Sequence, residues 1–131
     1  MKLQKYSRNR LMQTFADWEV PRDFADPMFN YLVWGYLPGS CFTAVLANDF
    51  YGAIRSSHPA NTIPAFKALA GWIVDTVPNE ARGSYALVEA WRDMTSDMRR
   101  PILEKHGLIY AEEDEAIMIL SGAKSVEPHL W

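Results

Sequence analysis

Proline and glycine residues divide this chain into short segments, and that division limits the possible folds more than any other feature. The chain has eight prolines and seven glycines in 131 residues. Because the residue before a proline avoids the helical region, breaks are predicted at Val20-Pro21 and at Val77-Pro78, and Pro38-Gly39 predicts a turn. No segment alternates apolar and polar residues over any length, as a half-buried strand does. We therefore expect short helices.

Apolar residues recur at helical spacing in most of these segments. Helices are predicted from Ser7 to Trp18, from Asp26-Pro27 to about Gly35, and between Pro59 or Pro64 and Val77. A further helix is expected to begin at Gly83-Ser84, to end near Arg99 and Arg100, and to break at Pro101; one more turn is expected to end at Gly107.

Segment 41–54 differs from the others because it is apolar on nearly all sides. Asp49 is its one charged residue before Arg55. A helix of this composition is normally surrounded by other elements or buried between subunits. The segment therefore predicts one continuous central helix and a homo-oligomer.

Together these segments predict an all-α fold of five or six short helices joined by Pro, Gly and Ser turns. One compact domain is predicted over residues 1–120, followed by a C-terminal tail at 121–131. Residues 108–110 favour a strand by composition, and residues 112–120 favour a helix that begins with an acidic run. Most of the seventeen aromatic residues, including Trp18, Trp72 and Trp91, are interpreted as core.

Charge and cysteine content exclude several classes of protein. Thirteen basic and sixteen acidic side chains give a net charge of −3, which makes nucleic acid an unlikely main partner. Cys41 is the one cysteine, so no disulfide can form within the chain. With no leader sequence, no apolar stretch long enough to span a membrane and no spacing typical of metal ligands, we expect a cytoplasmic protein without metal or cofactor.

Two helix starts are candidate sites for a small anion. Backbone N–H groups at a helix N-terminus attract phosphate, and Gly39, Ser40 and Thr43 mark one such start. Gly83 and Ser84 mark the other, and Arg55 and Arg82 could add positive charge. The alternative is ordinary helix capping, with Ser40 as the N-cap of its helix.

The turn around Trp34 is the second candidate site. Trp34 and Tyr36 flank Gly35 immediately before the Pro-Gly turn, outside the helical stripes that supply the core. Aromatic residues in such a place are typical anchors of protein interfaces. Trp34 and Tyr36 are therefore predicted to be exposed and to contact a partner or a ligand.

An ordered series of short motifs runs through both candidate sites. Residues 35–42 read Gly-Tyr-Leu-Pro-Gly-Ser-Cys-Phe, and residues 43–50 read Thr-Ala-Val-Leu-Ala-Asn-Asp-Phe. Asn61, Pro78, Gly83-Ser84 and the run Val-Glu-Ala-Trp at 88–91 follow. Residues 31–91 thereby resemble a group of small proteins encoded by tailed bacteriophages and prophages, with Arg82 in place of a Trp and Cys41 inserted.

The resemblance implies a phage origin, in which small accessory proteins commonly disable a host component. The leading expectation is a non-enzymatic counter-defence or host-takeover protein that masks a host protein in the host cytoplasm. The first alternative is an oligomer that sequesters a phosphorylated small molecule, such as a signal nucleotide, at its helix starts. The second alternative is a small enzyme that acts on a nucleotide, although no catalytic residue stands out in the sequence.

Overall fold

The computed structural model describes residues 5–58 and 61–109 of the chain. These residues form seven α-helices: α1 (Lys5–Asp17), α2 (Ala25–Trp34), α3 (Ser40–Leu46), α4 (Phe50–Ser56), α5 (Ile63–Thr76), α6 (Tyr85–Asp93) and α7 (Ser96–Lys105). Short 3₁₀ turns at Arg22–Phe24 and Asn79–Ala81 precede α2 and α6. The all-α prediction is confirmed, and the described residues include no strand.

Aromatic side chains from three helices form the centre of the core. Phe15 of α1 meets Phe29 of α2 and Trp72 of α5 edge to face, with ring centroids 4.9 and 4.7 Å apart. Such edge-to-face pairs add stabilisation beyond the area that the rings bury. Trp91 of α6 is also fully buried, so both Trp72 and Trp91 belong to the core as predicted.

The polar atoms of these buried aromatic residues have hydrogen-bond partners in neighbouring elements. The Tyr31 hydroxyl donates to the carbonyl of Ala81 at 2.7 Å, which ties α2 to the turn before α6. Desolvation of the buried Tyr31 hydroxyl raises its pKa well above the ordinary value. The indole N–H of Trp72 donates to the Thr14 hydroxyl at 2.9 Å. Burial of these polar groups therefore carries no penalty for unmade hydrogen bonds.

The prediction of one continuous helix over residues 41–54 is wrong. Helix α3 ends at Leu46, and Asn48 adopts the left-handed conformation with φ of 61°. Asp49 donates its N–H back to Ala44, then caps α4 by accepting from the Gly52 N–H at 2.9 Å. Asn tolerates the left-handed region and Asp is a preferred N-cap, so this adjacent pair ends one helix and begins another.

The break predicted at Pro101 is also wrong. Thr95 ends the preceding segment and caps α7 by accepting from the Met98 N–H, while Pro101 lies inside α7. The helix that was expected to run from residue 84 to 100 is therefore two helices, divided at Met94-Thr95. Gly107 follows α7 in the left-handed conformation, with φ of 69°, as its predicted role in ending the helix requires.

Trp18 is not a core residue, contrary to the sequence interpretation. It lies just after α1 with 41% of its surface exposed. Its indole rests against Gly71 of α5, where an added Cβ would lie 2.5 Å from the ring, and its N–H donates to Asp75. Trp18 therefore fastens the end of α1 to the outer surface of α5.

Several predictions about the C-terminal part lie outside the described residues. These are the acidic run at 112–115, the helix at 112–120 and the tail at 121–131. Of the strand proposed at 108–110, Leu108 and Ile109 are buried in irregular backbone and residue 110 is not described. Within the described ranges, no helix combines the length and apolar character needed to cross a membrane.

Candidate interaction surface

The turn after α2 begins with an αL motif, in which a glycine in the left-handed conformation ends the helix. Gly35 adopts φ of 72°, and its N–H donates to Tyr31 while the N–H of Tyr36 donates to Asn30. These two bonds satisfy carbonyls that the end of a helix otherwise leaves free. We call residues 34–37 the Trp34 turn.

A buried arginine supports this turn from below. Arg99 of α7 is 4% exposed, and its Nε donates to the Val33 carbonyl at 3.1 Å. Its Nη1 donates to the carbonyls of Trp91 and Met94 at the end of α6. Helix C-termini carry partial negative charge, so the guanidinium is stabilised by the ends of two helices. Desolvation lowers the pKa of Arg99, yet an arginine remains charged in proteins.

Together these contacts fix four successive carbonyls at the end of α2. Asn30 and Tyr31 accept from the turn backbone, Tyr31 and Leu32 accept from the Trp91 indole at 3.1 and 3.2 Å, and Val33 accepts from Arg99. Gly35 leaves the space that this requires, because an added Cβ would lie 2.6 Å from the Nη1 atom of Arg99. The path of the Trp34 turn is therefore determined by buried hydrogen bonds.

The outer side of the Trp34 turn presents apolar side chains to solvent. Trp34 is 36% exposed, Tyr36 is 67% exposed, and Leu37 is exposed beside them. The predicted exposure of Trp34 and Tyr36 is thus found in the structure. Because the backbone beneath is fixed, the turn itself needs little ordering on contact with a partner.

The first candidate anion site begins at the N-terminus of α3. Gly39 is the N-cap, so the prediction that Ser40 fills this position is wrong; Ser40 is the first residue of the helix. No side chain caps α3, because Gly39 has none to offer. The Thr43 hydroxyl donates to the carbonyl of Pro38 at 3.0 Å and so points back along the turn.

The second candidate anion site begins at the N-terminus of α6. Ser84 is the N-cap, and its hydroxyl accepts from the Leu87 N–H at 3.1 Å, which is ordinary capping. Arg82 turns away toward the end of α5, where it donates to Val77, Val74 and Asn79. The guanidinium of Arg82 thus has a structural role in capping α5.

An acidic group lies beside this second start. The Tyr85 hydroxyl donates to the Asp49 carboxylate at 2.6 Å, and Arg55 acts electrostatically on both residues. Hydrogen bonds from Tyr85 and from the Gly52 N–H hold the pKa of Asp49 below its ordinary value. Correspondingly, the bond to Asp49 raises the pKa of Tyr85. The charge of Asp49 therefore partly offsets that of Arg55.

The structure does not bring the two helix starts together at one point. The Gly83 N–H donates to the carbonyl of Leu46, the last residue of α3, whereas Ser40 is its first. A helix of seven residues separates its ends by about 9 Å along the axis. A single small phosphate group cannot contact both starts at that separation.

Sequence reasoning missed the burial of Arg99 and the break between α3 and α4. Arg99 was expected near the end of a helix, and nothing in the sequence indicated that it would be buried against the carbonyl of Val33, 66 residues away in the chain. The break between α3 and α4 could have been found, because Asn48-Asp49 carries the residue types that end one helix and begin another.

Two further observations concern possible chemistry. Partial burial raises the pKa of the Cys41 thiol, which disfavours the reactive thiolate form. Among the residues that the structure describes, no three His, Cys, Asp or Glu side chains are grouped so that they could hold a metal ion. In comparisons with known proteins, no family model, curated protein or solved structure matches this chain.

Proposed function

We propose that the protein is a non-enzymatic accessory protein that binds and masks another protein through the Trp34 turn. The observation that carries this proposal is the combination of two exposed aromatic side chains with a backbone fixed by buried hydrogen bonds. Interface energy is concentrated in a few aromatic or arginine anchors, and rigid anchors lose little entropy on binding.

The chemistry of the Trp34 turn indicates the kind of partner. Trp34 and Tyr36 each combine a large apolar ring with one hydrogen-bonding group, and Leu37 adds an aliphatic contact. A partner that fits these side chains offers an apolar pocket with hydrogen-bond acceptors at its rim. The resemblance of residues 31–91 to phage proteins suggests that this partner is a bacterial host protein, in counter-defence or host takeover.

The nucleotide-binding alternative receives less support from the geometry. The two helix starts lie at opposite ends of α3, and Ser84 and Arg82 are engaged in capping. Asp49 places negative charge near the start of α6, which opposes phosphate binding there. Among the residues that the structure describes, no arrangement of side chains favours the enzyme alternative.

Affinity capture from bacterial lysate tests the proposal. The full chain serves as bait beside the double variant Trp34→Ala, Tyr36→Ala, and captured proteins are quantified by mass spectrometry. The matched control is Val74→Ala, since Val74 is also apolar and exposed but lies on α5. We expect that the wild type and the control capture one host protein and that the double variant loses it. A direct binding measurement on the purified pair then checks the interaction.

Three outcomes would refute the proposal. In the first, the double variant captures the same partner with unchanged affinity. In the second, no protein is enriched over the bead control. In the third, a panel of linear and cyclic nucleotides raises the melting temperature of the wild type, as mass action requires for a ligand of the folded state, and no protein partner is found.

A further inference from the structure

Two residues, Met94 and Thr95, separate α6 from α7, and they lie close to the Trp34 turn. The backbone of the turn reaches the end of α6, because a Cβ added to Gly35 would lie 3.1 Å from the carbonyl oxygen of Arg92. We call Met94-Thr95 the α6–α7 junction. Its position bears on the turn because the same buried side chain contacts both.

That side chain is Arg99. Its Nη1 donates to the carbonyl of Met94 at the α6–α7 junction, and its Nε donates to the carbonyl of Val33 just before the Trp34 turn. The guanidinium is planar and its N–H groups are fixed relative to one another. A shift of one carbonyl must therefore be followed by the other, or a buried hydrogen bond is lost.

Thr95 determines the position from which Arg99 reaches these carbonyls. The Thr95 hydroxyl caps α7 by accepting from the Met98 N–H at 3.3 Å, and the Thr95 carbonyl accepts from the Arg99 N–H at 3.0 Å. An N-cap satisfies N–H groups that the start of a helix otherwise leaves free. If the first turn of α7 frays, the backbone that carries the Arg99 side chain moves with it.

We infer that Thr95 and Arg99 are positioning residues for the Trp34 turn. The cap of α7 holds the guanidinium in place, and the guanidinium holds the turn in the conformation that a partner binds. Arg99 is 4% exposed, so it acts from inside the protein. The inference rests on the proposed function, because it identifies what prepares the same surface for binding.

Amide hydrogen exchange of the isolated protein tests the inference without a partner. The N–H groups of Gly35 and Tyr36 report on the turn, since they donate to carbonyls of α2. Their exchange is compared with that of the slowest core amides in each variant. In Thr95→Ala they should exchange about threefold faster, as part of the effect of one lost N-cap. Thr95→Ser keeps the hydroxyl and should behave as the wild type does.

Ser84→Ala is the matched control for the loss of a cap. Ser84 caps α6 by accepting from the Leu87 N–H at 3.1 Å, but it lies at the opposite end of α6 from the junction. The two ends are about 13 Å apart along the helix axis. Urea denaturation should show a similar loss of stability in Ser84→Ala and Thr95→Ala, whereas only Thr95→Ala should accelerate exchange in the turn.

Arg99→Met provides a second, stronger perturbation. It removes the donor of both carbonyls, so exchange in the turn should accelerate more than in Thr95→Ala. If Arg99→Met does not fold, the two Thr95 variants decide the question alone. Thr95 is exposed, so its replacement removes no core contact.

Affinity for the captured host protein is the second readout. Thr95→Ala should weaken binding about threefold, because the partner must then order the turn that the cap no longer holds. Thr95→Ser and Ser84→Ala should bind as the wild type does. If Thr95 instead contacts the partner directly, Thr95→Ala lowers the affinity and leaves the exchange of the free protein unchanged, which contradicts the inference.

The inference is overturned if the turn amides exchange equally fast in Thr95→Ala and Ser84→Ala, or if Thr95→Ser accelerates them as much as Thr95→Ala does. It is also overturned if Thr95→Ala accelerates exchange and binds a partner of the Trp34 turn with unchanged affinity. Should no protein partner be captured, the proposed function fails, whereas acceleration confined to Thr95→Ala still supports the positioning of the turn by the α6–α7 junction.

Discussion

The Trp34 turn exposes Trp34 and Tyr36, and α4 exposes Phe50 and Tyr51, but the two regions are held in place by different interactions. Behind the Trp34 turn, the indole of Trp91 and the guanidinium of Arg99 donate to buried carbonyls. The N-terminus of α4 is held by the hydrogen bond from Tyr85 to Asp49, at the surface. Buried hydrogen bonds are shielded from solvent, whereas a surface contact of a carboxylate responds to pH and salt.

This difference indicates different responses to binding. The Trp34 turn presents a surface whose shape is set before a partner arrives, as a selective binder requires. Helix α4 has only seven residues. The turn at Asn48 that joins it to α3 is closed by two backbone hydrogen bonds. Because the hydrogen bond from Tyr85 to Asp49 lies at the surface, we expect α4 to be the more adjustable of the two regions.

Replacing Arg99 should have the largest effect on stability. Arg99→Met keeps most of the aliphatic volume but leaves the carbonyls of Val33, Trp91 and Met94 without their donor. Because buried acceptors without partners are costly, the free energy of unfolding should fall by about 3 kcal/mol, measured by urea denaturation. The control is Arg100→Met at the neighbouring position, whose ion pair with Glu104 is partly exposed, with an expected loss below about 1 kcal/mol. If both variants lose the same free energy of unfolding, then the buried hydrogen bonds of Arg99 do not stabilise the Trp34 turn.

Substitution of Gly35 should have the next largest effect. Gly35→Ala introduces a Cβ at a positive φ and brings it within 2.6 Å of Arg99, so we expect a loss of about 2 kcal/mol or more. Gly107→Ala separates the two causes, because Gly107 has nearly the same φ and no atom within 4 Å of the added Cβ. It should cost about 1 kcal/mol from backbone conformation alone. Should both variants unfold at the same urea concentration, the contact with Arg99 would not contribute.

These two positions also show what the sequence could and could not reveal. Helical spacing located Phe15, Trp72 and Trp91 in the core, because that periodicity is a local property of the chain. The burial of Arg99 is not local: it arises where the ends of α2 and α6 converge on α7. A basic residue near a helix end is usually exposed, so no pattern around residue 99 distinguishes it from Arg100.

The candidate sites also combine features that could be predicted from the sequence with features that could not. The exposure of Trp34 and Tyr36 could be predicted, because they lie outside the helical stripes and beside a Pro-Gly turn. The capping role of Ser84 was anticipated as the ordinary alternative. What the sequence could not show is that Arg82 turns toward α5 and that Gly83 packs on the far end of α3 from Ser40. Both depend on how separate helices meet.

The surface contact of α4 should make its stability depend on pH at both extremes. The pKa of Asp49 is lowered in the folded state, so its stabilising effect is complete above the ordinary value near 4 and is lost as pH falls through the lowered pKa. The pKa of Tyr85 is raised, so its effect is complete below about 10 and is lost as pH rises through the raised pKa. Hydrogen exchange of the α4 amides should therefore accelerate at low and at high pH, relative to the intrinsic exchange rates.

Tyr85→Phe serves as the comparison for this pH dependence. The phenyl ring keeps the packing of Tyr85 but cannot donate to Asp49, so it should remove the loss at high pH and weaken the loss at low pH. The amides of α2 next to the Trp34 turn should be unaffected by the same substitution. If the exchange of the α4 amides follows the intrinsic pH dependence in both the wild type and Tyr85→Phe, then α4 is no more sensitive to pH than the Trp34 turn.

The smallest effects on stability are expected at the two most exposed tyrosines, and these substitutions separate folding from binding. Tyr36→Ala and Tyr51→Ala remove side chains that lie largely in solvent, so each should change the melting temperature by less than about 2 °C. Their binding effects should differ: Tyr36→Ala should weaken capture of the protein partner, whereas Tyr51→Ala, which lies outside the Trp34 turn, should capture it as the wild type does. Scanning calorimetry and lysate capture on the same two proteins provide the test. If Tyr36→Ala unfolds well below the wild type, the Tyr36 ring supports the fold, and the Trp34 turn loses its main argument as a binding surface, because an anchor for a partner must be free in the isolated chain.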